Sequence, residues 1–424
     1  MLDQRTIQVV KSTIGLLESA GPALTEHFYQ RMFKHNPELK DIFNLAHQHT
    51  GGQPVALFNA IAAYAKNIDN LAVLSTTVER IAHKHTGFLI RPEHYHIVGE
   101  HLLATLQELG GDAVNEEVLD AWGKAYGFLA NIFIGRETEL YRQSAATSGG
   151  WTGTRPFRIS NKTVESEVIT SFLLTPVDEL PVMAFLPGQY LSVQLNHPKL
   201  LHQEIRQYSL SDAPNGHSYR ISVKRELEGQ VSNLLHDDYQ LGDILDIAPP
   251  AGDFSLQAND NPVVLISAGV GLTPMMSMLA SLLPQDDSSS HSPVQAPSTA
   301  TKATPLHCEG HTLVPQAEIT WLHACEHGGV HSFKTQLKEQ SQRYQHLHSY
   351  VWYRNPRAQD RPAEDYDFDG TIKLANVSQH IQPHAHYYFC GPIAFMREVK
   401  QQLLALNVPE SQLHYEVFGP DTGL

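Results

Sequence analysis

Cysteine is nearly missing from this chain. Cys308, Cys325 and Cys390 are the only three in 424 residues, too few for a disulfide framework and in keeping with a reducing compartment. None stands in a Cys-x-x-Cys pair that would hold zinc or tether a prosthetic group through thioethers. Basic residues are also short: 30 Lys and Arg against 45 Asp and Glu leave a net charge of −15. That balance excludes a phosphate-backbone partner, which needs a basic face. Long hydrophobic runs are absent, since no window approaches the ~18 apolar residues of a membrane span. The start, Met1-Leu2-Asp3-Gln4-Arg5, lacks the basic head and apolar run of a signal peptide. These absences lead us to expect a cytoplasmic protein with small-molecule partners, no nucleic acid and no stable membrane insertion.

What is present is a folded composition, 42% hydrophobic and 18% charged, in a chain long enough for two or three separate cores. Residues 1–143 read as consecutive helices. Ile7, Val10, Ile14 and Leu17 fall at helical spacing, Gly21-Pro22 ends one helix and opens the next, and Asn36-Pro37 starts a short one. Val78, Ile81, Ala82 and His85 share a face, as do Tyr95, Val98, Leu102 and Leu106. Residues 144–151, small and polar with Gly149-Gly150, read as a linker. Short alternating runs such as Tyr219–Lys224, separated by Pro-Gly, Asn-Gly and Ala-Gly turns, predict an antiparallel barrel over 152–258. From 259 onward, buried runs (Val263–Ile266, Ile319–Leu322, Tyr387–Cys390) and a glycine turn leading into a helix predict a parallel α/β unit. A stretch at about 285–315, rich in Ser, Pro, Thr and Ala and without period, reads as a disordered insertion.

A histidine on an apolar helix face, as His85 is, serves more often as a satisfied core residue than as a ligand. Its company changes the reading. Gln53 and Leu57 lie four residues apart on a proline-led helix, Phe43 follows Asn36-Pro-Glu-Leu39, and Tyr29 sits on the long second helix. The segments Asn36–Leu39, Leu57–Tyr64, Lys84-His85-Thr86 and Glu100–Leu106 resemble the globin domain of bacterial flavohemoglobins. The resemblance implies that His85 is the proximal ligand of a b-type haem, with an open site for O2. It places Tyr29, Gln53 and Leu57 in the distal pocket, Phe43 on the porphyrin, and Lys84 at the boundary with the flavin. It also implies that Tyr95 and Glu137 form a relay to the proximal histidine, in which a carboxylate raises imidazole basicity.

The rest of the chain is similar to the ferredoxin-reductase-like superfamily. Arg206-Gln207-Tyr208-Ser209 resembles its flavin motif, in which a guanidinium meets the FAD pyrophosphate and the tyrosine packs on the isoalloxazine. Gln189 and Tyr190 in Pro187-Gly-Gln-Tyr precede that motif, and Gly229-Gln230-Val231-Ser232, with the look of a helix start, follows it. Gly269-Val270-Gly271-Leu272-Thr273-Pro274 resembles the NAD(P)H loop, and Cys390-Gly391-Pro392 the segment where nicotinamide meets flavin. The tail Glu416-Val417-Phe418-Gly419-Pro420 resembles the family's C-terminus over the flavin, with Val417 where a cysteine is expected.

The expected fold is thus multidomain: an all-α globin domain, an antiparallel β-barrel for FAD, and a parallel-sheet α/β domain for NAD(P)H. The implied activity is a nitric oxide dioxygenase, with NO, O2 and NAD(P)H as substrates, haem b and FAD as cofactors, and a monomeric state. Two alternatives stay open on sequence. One is a haem-flavin oxidase or alkyl hydroperoxide reductase with the same cofactors. The other is a gas sensor, which would need an output module in place of a reductase.

Overall fold

The computed structural model describes residues 2–43, 52–258, 260–284 and 317–419. The expected insertion at about 285–315, Cys308 and Pro420 lie outside these residues.

The first unit is helical. Helices α1 (Gln4–Ser12), α2 (Ile14–Ala20), α3 (Pro22–His35), α4 (Gly52–Lys66), α5 (Ser75–Gly87), α6 (Pro92–Gly110) and α7 (Glu116–Ala146) follow one another. Local chemistry starts several of them: the Asp3 side chain accepts from Thr6 N–H, Pro22 and Pro92 occupy first-turn positions, and Asn115 accepts from Val118 N–H. Helix α7 runs through Ser144–Ala146, so the first three residues expected in the linker form its last turn.

The apolar interior of this unit is divided. One cluster holds Val10, Leu17, Phe28, Met32, Leu102, Leu106 and Trp122. A smaller one holds Ala82, Phe133 and Leu140. Leu129 touches both, and Phe43, Leu57, Ile81, Tyr95 and Val98 along the divide are only partly buried. Half-buried apolar side chains packed against two separate clusters are the candidate walls of a slot between them.

The second unit is a six-stranded antiparallel sheet of order β4-β3-β6-β1-β2-β5, made of β1 (Arg155–Val164), β2 (Ile169–Pro176), β3 (Tyr190–Leu195), β4 (Glu204–Ser209), β5 (Tyr219–Lys224) and β6 (Ile244–Ile247). It encloses Phe157, Phe172, Leu191, Val193, Tyr219, Ile221 and Leu245, with helix α8 (Gln230–Asp237) at one end. The third is a six-stranded parallel sheet of order β10-β9-β8-β7-β11-β12. Its strands are β7 (Val263–Ala268), β8 (Ile319–Cys325), β9 (Leu347–Tyr353), β10 (Phe368–Asp369), β11 (His386–Cys390) and β12 (Leu413–Glu416), packed by helices α9 (Leu272–Leu282), α10 (Lys334–Arg343) and α11 (Ile393–Ala405). Strand order reverses between β7 and β11, and a parallel sheet opens a ligand crevice beyond the strand ends at such a switch point.

The units share surfaces. Ile169 and Phe254 of the barrel are buried within the cluster formed by α9 and the parallel sheet. Helix α5 abuts the barrel, where Gly252 N–H donates to His83 Nδ1 at 3.2 Å, and the 3-10 helix Pro37–Asp41 does so too, its Asp41 carboxylate accepting from Gln203 N–H at 3.1 Å.

Candidate functional site

Helix α5 presents His85 to the slot. The His85 side chain is 33% exposed, whereas the Glu137 side chain beside it is 3% exposed. His85 Nδ1 lies 2.7 Å from Glu137 Oε1 and 2.9 Å from the Tyr95 hydroxyl, and that hydroxyl donates to the same carboxylate. Burial first, and then the Glu137 charge, push the Tyr95 hydroxyl far above its ordinary pKa, so it remains a donor. With the Tyr95 hydroxyl donating to that carboxylate, a proton on Nδ1 would donate to it as well and leave the lone pair on Nε2. That leaves Nε2 to the slot, the donor chemistry that an iron ion requires.

Other contacts aim this triad. Arg136, next to Glu137, holds Glu79 with two hydrogen bonds of 2.6 and 2.5 Å and so draws α7 onto α5. The Tyr126 hydroxyl donates to the Tyr95 carbonyl at 2.6 Å. Across the slot, Thr25 donates to the Pro54 carbonyl at 2.7 Å, which sets α4 with Gln53 and Leu57 against α3 with Tyr29. Gln53 Oε1 is buried without a hydrogen-bond partner, a polar atom left for a ligand. Phe43 meets Tyr29 and Phe33 edge-on, at 5.9 and 5.7 Å between ring centres. Among the described residues no cluster of three or more His, Cys, Asp or Glu could hold a metal. An iron held by the porphyrin needs just one protein ligand, so the donor set fits a haem.

The flavin motif lies on paired strands. Register matches Tyr190 with Ser209, Ser192 with Gln207, and Val193 with Arg206. Pleating therefore puts Arg206 and Tyr208 on one face of β4, and Gln207 and Ser209 on the other. Arg206 pairs with Glu204 at 2.7 Å and with the Ile205 carbonyl. Gln189 holds backbone instead of standing open, accepting from Leu186 N–H and donating to the Gly252 carbonyl. Ser232 likewise closes its own turn through Glu226 N–H and the Gly229 carbonyl. Val231 is a barrel core residue, and Gln230 is exposed. With no side chain capping α8, its first-turn N–H groups suit a phosphate. The Ser192 hydroxyl is buried where β3 meets the end of α5, beside Gly87 and Gln207.

The two dinucleotide segments meet at the switch point. A Cβ on Gly271 would collide with the carbonyl of Cys390 and come within 2.7 Å of Gly391 N, so only glycine allows this approach. Gly269 takes φ +53, a left-handed conformation cheap only for glycine. Leu272, Thr273 and Pro274 are buried, and Thr273 donates to the Val270 carbonyl at 3.1 Å. No side chain caps the start of α9. Cys390 pairs with Ser267 on one side and Glu416 on the other. Burial, and then Glu416, raise the Cys390 thiol well above its ordinary pKa, which argues against a nucleophile there. Val417 is buried at 6%, while Phe418 is 44% exposed, an uncovered ring beside the site.

Lys84 reaches the tail, donating to the Gly419 carbonyl at 3.0 Å. Gly87, His83 and Asp41, which tie the helical unit to the barrel, escaped the sequence reading. Only Gly87 carried a signal, as a glycine two residues after the proposed ligand.

Three family models match along the chain: a globin at residues 26–133, an oxidoreductase FAD-binding domain at 156–256 and an oxidoreductase NAD-binding domain at 265–401. The FAD/NAD-binding domain of a nitric oxide dioxygenase from Vibrio cholerae O1 biovar El Tor is 38% identical, with a TM-score of 0.51; the match covers 63% of this chain and 99% of that one. The chain belongs to the flavohemoglobin family. A flavohemoglobin from Malassezia yamatoensis, solved with bound FAD and heme, has the same fold end to end: TM-score 0.81 over 99% of this chain and 100% of that one, at 22% identity. This flavohemoglobin is an oxidoreductase that links NAD(P)H to FAD and haem. No helix among its described residues is long and apolar enough to cross a membrane.

Proposed function

We propose that this flavohemoglobin is a nitric oxide dioxygenase, in which two NO and two O2 consume one NAD(P)H and yield two nitrate ions, NAD(P)+ and a proton. The observation that carries this reading is the buried Glu137 on His85 Nδ1. A carboxylate there makes Nε2 a stronger electron donor, which suits O2 activation better than reversible gas storage. The Vibrio cholerae relative carries the name of the same activity.

Haem supplies O2 binding and one-electron chemistry, and FAD converts a hydride into single electrons. The chain does the positioning. His85 would ligate the iron, with Tyr95 and Glu137 fixing its ring, and Tyr29, Gln53, Leu57 and Phe43 would line the haem pocket. Arg206–Ser209 and the start of α8 would hold the flavin, the Gly269–Pro274 turn the dinucleotide pyrophosphate, and Cys390–Pro392 with the tail from Glu416 would bound the place where the two meet. The division of labour follows element order, with haem on residues to about 143, FAD on 152–258 and NAD(P)H beyond.

The test is stoichiometric. Purified holoenzyme given NADH, O2 and NO should form one nitrate per NO consumed and oxidise one NADH per two NO. NADH oxidation that NO does not accelerate, with hydrogen peroxide as product, would instead identify an oxidase.

A further inference from the structure

The glycine turn meets only a pyrophosphate, so it cannot distinguish NADH from NADPH. Discrimination must come from the adenosine end of the crevice. In parallel dinucleotide sheets, an acidic side chain at the end of a strand near the glycine turn takes the ribose 2′-hydroxyl and disfavours a 2′-phosphate. Here β8 lies beside β7, with Ala324 opposite Ala268, and Glu326 follows directly on β8.

Glu326 is held in place from both oxygens. Arg354 Nη1 donates to Oε1 at 3.1 Å and Asn355 Nδ2 to Oε2 at 2.8 Å, while the side chain stays 50% exposed. Backbone bonds from Arg354 N–H to the Cys325 carbonyl (2.9 Å) and from Asn355 N–H to the Glu326 carbonyl (2.8 Å) tie the ends of β8 and β9 together. The loop beyond is pinned as well, with Gly328 N–H on Asp360 at 3.1 Å and Glu167 N–H on the Gly329 carbonyl at 2.9 Å. The guanidiniums that could grip a phosphate are already engaged. Arg354 is on Glu326, and Arg357 is on Glu167 through two bonds of 2.6 and 2.9 Å. Asp360 adds a third carboxylate to this loop, accepting from the backbone N–H groups of Arg357 and Gly328.

We propose that Glu326 makes this reductase select NADH over NADPH, by accepting the 2′-hydroxyl and by occupying Arg354, which would otherwise be open to a 2′-phosphate at that strand end. The assignment rests on the NAD-binding unit alone and is independent of the reaction with NO.

The test is anaerobic stopped-flow reduction of FAD in the intact holoenzyme, with neither O2 nor NO present. Wild type should use NADH with a rate-to-affinity ratio on the order of 100-fold above that for NADPH. Glu326→Gln should lower that preference about tenfold or more, partly through a gain with NADPH, and adding Arg354→Ala should remove the gain. An unchanged ratio in a Glu326→Gln protein with wild-type FAD content would overturn the proposal, as would a wild-type preference for NADPH. Should that variant not fold, wild type alone decides: AMP should compete with NADH more strongly than adenosine 2′,5′-bisphosphate, and the reverse order would refute the assignment.

Discussion

Gly87 lies against Ser192 so closely that a Cβ on the glycine would strike the serine hydroxyl and stand 2.8 Å from the Gln207 amide nitrogen. The helix that carries His85 thereby ends directly on the strands that carry the flavin motif. Gly87→Ala should push these surfaces apart and slow FAD-to-haem electron transfer about tenfold or more, with hydride transfer to FAD unchanged. Ser192→Ala removes the struck atom and leaves its own Cβ at 3.5 Å, so the double variant should recover much of the rate. Stopped-flow haem reduction by NADH reads both effects; a double variant as slow as the single would show that this contact does not set the approach.

The triad of His85, Tyr95 and Glu137 makes a graded prediction. Glu137→Gln keeps a hydrogen bond to Nδ1 but removes the charge. Partners of a metal-bound histidine are worth roughly 10–100-fold in affinity or activity, so nitrate formation should fall by at least about tenfold and the haem reduction potential should rise. Tyr95→Phe leaves the carboxylate and should cost less. His85→Ala should abolish stable haem retention while FAD stays bound. An unchanged potential in Glu137→Gln would remove the carboxylate from the electronic argument.

On the opposite side of the slot, Tyr29 is proposed to donate to haem-bound O2. A hydrogen bond to a charged acceptor is worth about 1.5–3 kcal/mol. Tyr29→Phe should therefore speed O2 dissociation on the order of tenfold or more, read by flash photolysis or ligand replacement. A wild-type off-rate would place the hydroxyl elsewhere.

The parallel sheet carries an acid-sensitive pair. His323 and His331 stack at 5.3 Å, with Nδ1 atoms on Ser267 and Tyr353 and both Nε2 atoms buried without partners. Burial lowers His323 to about 4 and His331 well below its ordinary value. The unfolded chain takes up these protons near pH 6.5 and the folded one does not, so stability is full above about 6.5 and falls as pH drops toward 4. For His323 alone the loss is on the order of 3 kcal/mol. His323→Asn, which keeps a partner for Ser267, should shrink it. The check is the urea midpoint of the reductase transition at pH 7 and pH 5; equal pH dependence in variant and wild type would exclude His323 as the cause.

What the sequence disclosed was local or periodic. Helix faces placed His85, the glycine turn after a buried run placed Gly269 and Gly271, and motif order gave the three-part fold. What it concealed was contact at long range. Gly252 meets His83 across 169 residues and Gln203 meets Asp41 across 162, and neither pair leaves any period or spacing in the chain. The tail illustrates the limit. Pairing of β12 with β11 sets Glu416 against Cys390, and Lys84 donates to the Gly419 carbonyl, contacts that nothing local in the sequence announces. The short strands β10 and β12 were missed because two to four residues carry too little alternation to detect.

The apolar interior of the helical unit falls into two clusters, with partly buried Leu129 packed against both. A haem held between them would add its binding free energy to the folded state alone, so the thermal stability of this unit should track how much haem the protein carries.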